Sequence, residues 1–165
     1  MRAIVLILCA VLLNGCLGMP ESVKPVSDFE LNNYLGKWYE VARLDHSFER
    51  GLSQVTAEYR VRNDGGISVL NRGYSEEKGE WKEAEGKAYF VNGSTDGYLK
   101  VSFFGPFYGS YVVFELDREN YSYAFVSGPN TEYLWLLSRT PTVERGILDK
   151  FIEMSKERGF DTNRL

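Results

Sequence analysis

Between Gly36 and Ser138 the chain alternates apolar and polar residues in short runs, and turn residues break the runs apart. Ser53 to Arg62 shows this most cleanly. Val55, Ala57, Tyr59 and Val61 share one face, and Gln54, Thr56, Glu58 and Arg60 share the other. Period two over this length predicts a half-buried strand. Asn63-Asp64-Gly65-Gly66 then supplies hairpin chemistry, because Asn, Asp and Gly tolerate positive φ. The same reading predicts further strands at 38–43, 67–74, 81–92, 98–104, 110–116, 121–127 and 133–138. Eight consecutive strands with short links predict an all-β fold, an antiparallel up-and-down sheet, and closing it into a barrel removes both exposed edges. After the last strand Val143, Ile147, Leu148, Phe151 and Met154 recur at helical spacing, behind a Thr140 cap and Pro141 in the first turn. That predicts one C-terminal α-helix packed on the outside of the barrel.

An eight-stranded barrel either fills itself with side chains or keeps room for one small ligand. Ala42, Ala57, Gly73, Ala84, Gly86, Ala88 and Ala124 are candidates for inward positions, and small residues there leave space. Strand parity also turns Ile67, Asn71, Leu99, Val126 and Leu137 inward. The candidate ligand contacts are Val55, Ala57, Tyr59, Val69, Val101, Phe103, Tyr111, Val113, Tyr133 and Trp135. A mostly apolar wall with a few polar tips suits an apolar ligand. The segment from His46 to Gly51 is expected at the open end. Its His46, Phe48 and Arg50 are candidate lid or entrance residues, with His46 and Arg50 placed to meet an anionic head group.

The formal net charge is −4, both signs are interspersed and no basic stripe exists, which argues against nucleic acid as a partner. The N-terminus has a different character. Arg2 is followed by an apolar run from Ala3 to Leu13 and then by small or polar residues, the anatomy of a secretory signal. The run is too short to span a bilayer, which takes about 20 residues. Leu13-Asn14-Gly15-Cys16 resembles the lipobox of bacterial lipoproteins. That resemblance implies removal of residues 1–15 as a signal peptide and lipidation of Cys16. No Asp follows the cysteine, so it further implies the periplasmic face of the outer membrane, with a lipid anchor through Cys16. Residues 16–30, with two prolines, read as a tether and entry segment, and 31–165 as the barrel domain with its helix. With Cys16 consumed by lipid, no disulfide, thiol nucleophile or cysteine metal site is expected, and no cofactor.

Gly36-Lys37-Trp38 at the entry to the first strand and Ser138-Arg139-Thr140-Pro141 after the last carry a further resemblance. With eight strands and a C-terminal helix between and behind them, the chain resembles the lipocalin family. Gly36, Trp38 and Arg139 match its structural signature, which implies Arg139 lying across the Trp38 ring at the closed end. The family's second motif is only partly present: Asp117 is kept in the turn from Leu116 to Tyr121. The runs 45–51, 100–108 and 133–139 look like the bacterial outer-membrane lipoprotein lipocalins. That implies a fatty acid or lysophospholipid as ligand. Two alternatives compete. An enzyme acting on a bound lipid would need groups such as Glu40 and Glu115, which parity turns inward. No Gly-x-Ser-x-Gly is present, and the one histidine stands in a loop. An envelope structural protein would have a filled barrel. Head-group preference and a homodimer are left open by the sequence.

Overall fold

The computed structural model describes residues 17–165; the signal segment and Cys16 lie outside the described residues. Eight strands follow in chain order: β1 (Gly36–Arg43), β2 (Leu52–Val61), β3 (Ile67–Ser75), β4 (Glu80–Phe90), β5 (Tyr98–Phe104), β6 (Phe107–Leu116), β7 (Tyr123–Ser127) and β8 (Leu134–Ser138). Each pairs antiparallel with its neighbours, and β1 pairs with β8 to close the barrel. A one-turn helix α1 (Leu31–Tyr34) precedes β1, and α2 (Arg145–Glu157) follows β8.

Two apolar layers hold the fold. Inside lie Trp38, Tyr59, Val69, Leu99, Val126 and Leu137, among others. Outside, Val112, Phe114, Phe125, Leu134 and Leu136 form a second layer, which α2 covers through Phe151. This is why β7 and β8 read as nearly continuous apolar runs: both of their faces are buried.

The ladders shift register at four places, the β5–β6 shift between Val101 and Phe104 among them, and at two of the four the expected facing fails. The register shifts between Glu40 and Ala42, so Ala42 packs in the outer layer rather than inside. It shifts again between Val113 and Glu115, so Glu115 faces outward, 3.0 Å from Lys150 Nζ of α2. In β2, Gln54 has φ 51° at a third shift. One extra residue on one strand flips every side chain beyond it. The helix also starts later than its sequence signals. The Thr140 hydroxyl donates to the Thr142 carbonyl instead of capping, Pro141 lies in a turn, and Glu144 occupies the N-cap.

The segment expected to be a tether lies against the barrel from residue 18 onward. Gly18 N donates to Ser110 Oγ (2.9 Å), Val26 N to the Val113 carbonyl (2.8 Å) and Phe29 N to the Thr95 carbonyl (2.8 Å). Val23, Val26 and Phe29 are buried, so apolar burial recurs every third residue down the wall. At one end of the barrel lie the β1–β2, β3–β4, β5–β6 and β7–β8 loops, which form the mouth. The other end is sealed by α1 and by Arg139.

Candidate ligand-binding calyx

The floor is a plug built around Trp38. Its ring is fully buried, its Nε1 donates to the Tyr34 carbonyl (2.8 Å), and the Arg139 guanidinium lies 3.9 Å from its centroid. Such a cation–π contact is worth about 0.5–2 kcal/mol. Arg139 also donates to the carbonyls of Asn33, Leu35, Lys37 and Tyr121 at 2.8–3.2 Å, tying α1, β1 and the β6–β7 turn together. Gly36 has φ 92°, a region open to glycine, where the chain bends from α1 into β1. Asp117 braces the β6–β7 turn by accepting from the Ser122, Glu119 and Asn120 amides.

Above the plug stands a knot of three phenols. The Tyr111 hydroxyl lies 2.7 Å from that of Tyr34 and 2.9 Å from that of Tyr59. Burial pushes all three phenols above their ordinary range, so they stay neutral and satisfy one another. Beside them a cavity of about 10 Å³ is lined by Phe29, Leu31, Tyr34, Tyr59, Ile67, Ala88, Leu99, Val101 and Tyr111. That is room for about one water.

The upper wall is more open. Ala57, Val101, Phe103, Tyr111 and Trp135 are partly exposed, and Ala84, paired with the inward Asn71, is exposed. A Cβ on Gly86 would stand 2.8 Å from the Phe103 ring, so this glycine is what lets the ring lie across the wall. Val69 and Val113 are sealed in the inner layer, and Val55 is buried against Gly73. Tyr133 precedes β8 and belongs to the rim, stacked on Trp135 at 6.2 Å.

A charged cluster crosses the mouth. Arg43 donates to Glu40 Oε1 (2.7 Å) and to the carbonyls of Glu49 and Leu52 (3.0 Å each), stapling the β1–β2 loop to the wall. Trp135 Nε1 donates to Glu49 Oε2 (3.0 Å), and His46 Nε2 lies 2.8 Å from the same oxygen. Burial, and then the charge of Glu49, push Glu40 up to about 8, against the pull of Arg43. Burial alone would raise Glu49 as well, but His46 and Trp135 outweigh it and hold Glu49 below its ordinary value. At neutral pH the cluster is therefore a protonated Glu40, an ionised Glu49 and the Arg43 cation.

The three lid candidates separate. His46 is only 8% exposed and packs between Phe48, Tyr133 and Trp135, so it is not a solvated loop residue. Phe48 stands out in solvent, and Arg50 is exposed and paired with Asp45. Sequence reasoning missed Tyr34, Arg43 and Glu49. Tyr34 lies before the first strand. Residues three apart on a regular strand face opposite ways, and only the bulge turns both Glu40 and Arg43 inward.

A closed antiparallel eight-stranded barrel, plugged by Trp38 and Arg139 and flanked by one C-terminal helix, defines a lipocalin. The chain belongs to that family: the lipocalin-like domain matches residues 29–165. It is 99% identical to the outer membrane lipoprotein Blc of Vibrio cholerae, over all of this chain and 96% of that protein. The protein of the same name in Escherichia coli K12 is 51% identical, covering 88% of this chain and 81% of its own. Among solved structures, insecticyanin from the tobacco hornworm Manduca sexta shares the fold with a TM-score of 0.70. Its identity is 24%, over 89% of this chain and 84% of its own.

Proposed function

We infer that the protein is a lipid carrier anchored in the outer membrane through Cys16, holding one fatty acid or lysophospholipid with its acyl chain in the calyx. The observation that carries this reading is the graded interior: an apolar wall, sealed below by Trp38 and Arg139, that opens upward past Ala57, Ala84 and Phe103 to a mouth bearing polar groups. The membrane location draws on the relatives' name and on the lipobox resemblance at Cys16. Burying a chain of about 16 carbons offers roughly 12 kcal/mol of gross transfer energy at about 0.8 kcal/mol per CH2. Ordering costs reduce this severely. Phe103, Trp135 and Tyr111 would line the chain, and Arg43 and His46 stand where a head group would rest. Of the two carboxylates the enzyme alternative would need, Glu115 faces Lys150 and not the interior, which leaves only Glu40 inside, held by Arg43.

The small floor cavity favours a second reading, a barrel already filled by its own side chains. Native mass spectrometry separates the two, using the chain with Cys16 replaced and incubated with bacterial lipid extract. A one-to-one adduct that disappears in Ala84→Trp, a variant whose ring would occupy the upper calyx, is the expected result. No adduct with any lipid would establish the filled barrel. An adduct that survives Ala84→Trp would place the lipid outside the calyx.

A further inference from the structure

We propose that the barrel mouth is held against the bilayer with its rim phenylalanines in the lipid surface, so that a lipid passes between membrane and calyx without crossing water. This rests on the anchored-carrier reading above.

Phe48, Phe104 and Phe107 are 69%, 72% and 70% exposed. Single exposed apolar residues are ordinary on a soluble surface, but these three share one end of the molecule. Phe48 is in the β1–β2 loop. Phe104 and Phe107 pair across the Gly105-Pro106 turn of the β5–β6 hairpin. In the circular strand order these two loops stand opposite each other across the mouth, so both can touch one plane only if the mouth faces it.

The path of the chain toward Cys16 points the same way. Gly18 N is bonded to Ser110 Oγ, and Ser110 lies three residues past Phe107, about 10 Å along a strand. Met19 to Ser22 share a groove with Pro129, Asn130 and Thr131 of the β7–β8 loop, also at the mouth. Cys16 is two residues before Gly18, at most about 7.6 Å of chain. A lipid on Cys16 therefore enters the membrane beside the mouth, with the Asn63-Asp64 turn at the far end of the barrel. Charge at the rim is mixed: the β3–β4 loop carries Glu76 and Glu77 beside Lys78, and Arg50 of the β1–β2 loop is paired with Asp45. The contact is apolar, and added salt should barely weaken it.

The test uses the full lipidated chain in phosphatidylethanolamine–phosphatidylglycerol vesicles with brominated acyl chains. A fluorophore goes on Ser47→Cys at the mouth or on Asn63→Cys at the closed end. The expected result is quenching at Ser47→Cys and none at Asn63→Cys; quenching at Asn63→Cys, or at neither, overturns the proposal. In a second arm, Phe104→Ser/Phe107→Ser should slow transfer of a fluorescent lysophospholipid from vesicles about tenfold. Its equilibrium binding of the same lipid added as monomer should be unchanged. An unchanged transfer rate overturns the proposal. If the parent binds no monomeric lipid, the carrier reading fails, while the quenching still reports which end meets the membrane. No quenching, together with a dimer that Phe104→Ser/Phe107→Ser dissolves, would assign the rim to a second copy of the chain.

Discussion

Glu40 is an acid placed where its charge is unwelcome. Its side chain points into the barrel, with Glu49 on one side and Arg43 on the other, and its carboxyl holds a proton up to about pH 8, against an ordinary value of 4.5. The unfolded chain gives up that proton near 4.5. Folded protein therefore binds more protons than unfolded between these values, and this stabilising contribution, complete below pH 4.5, is lost as pH rises to about 8. Glu49, held low, acts the other way, and its contribution is lost only as pH falls below its ordinary range. Glu40→Gln keeps the shape and cannot ionise. Urea unfolding at pH 5, 6.5 and 8 should show stability falling for the parent by at most about 1.4 kcal/mol per pH unit, and a flatter profile for the variant. Equal slopes would mean that another group carries the titration. At this scale Trp38 and Arg139 were legible in the sequence because Gly-x-Trp and an Arg after the last strand form a recognisable pair. The burial of His46 was not, because a loop has no period from which a facing direction can be read.

The β1–β2 loop shows what an element owes to one side chain. From Asp45 to Gly51, beyond the Leu44 amide that donates to the Leu134 carbonyl of β8, the chain lacks a strand partner, and its closure over the mouth depends on Arg43 reaching the carbonyls of Glu49 and Leu52. Arg43→Met fills the same stem and removes these donors together with the bond to Glu40. Hydrogen bonds to a charged group are worth about 1.5–3 kcal/mol each, so amide exchange at Glu49 and Leu52, slowed by bonds within the loop, should accelerate about tenfold or more. Exchange in β3 and β4 should be untouched. An unchanged loop would mean that the contacts among His46, Tyr133 and Trp135 hold it without Arg43. The strands themselves were readable, since period two and Gly/Asn turns recur along the chain. Facing directions held until a bulge intervened. Nothing in the residue types around Glu40 or Glu115 announces one, because a bulge answers to barrel curvature rather than to local propensity. The helix start was misjudged for a related reason. Thr140 and Pro141 look like a helical entry, yet Arg139 is engaged across the floor and draws the next residues into a turn.

Seen whole, the molecule is a barrel clasped from two sides, by α2 and by the chain from residue 18 to 30. The second clasp was invisible in the sequence because two prolines and scattered charges look like a linker, and its three buried residues are too widely spaced to form a strand pattern. Val23 is the test. It is 2% exposed in the outer layer with Phe114, Phe125 and Phe160. Burying a valine is worth about 1.5–3 kcal/mol, so Val23→Ala should lower unfolding stability by about 1–2 kcal/mol. The exposed neighbour Glu21→Ala should fall within about 0.5 kcal/mol of the parent. A free tether predicts no difference between the two. The outcome also bears on the membrane arrangement. Only a clasp that stays docked keeps Gly18 on Ser110 and the lipid-bearing end beside the mouth. A Val23→Ala protein that frees residues 18 to 25 should let the barrel tumble about its anchor, and the fluorophore at Ser47→Cys would lose its quenching by the brominated acyl chains even though Phe48, Phe104 and Phe107 are unchanged.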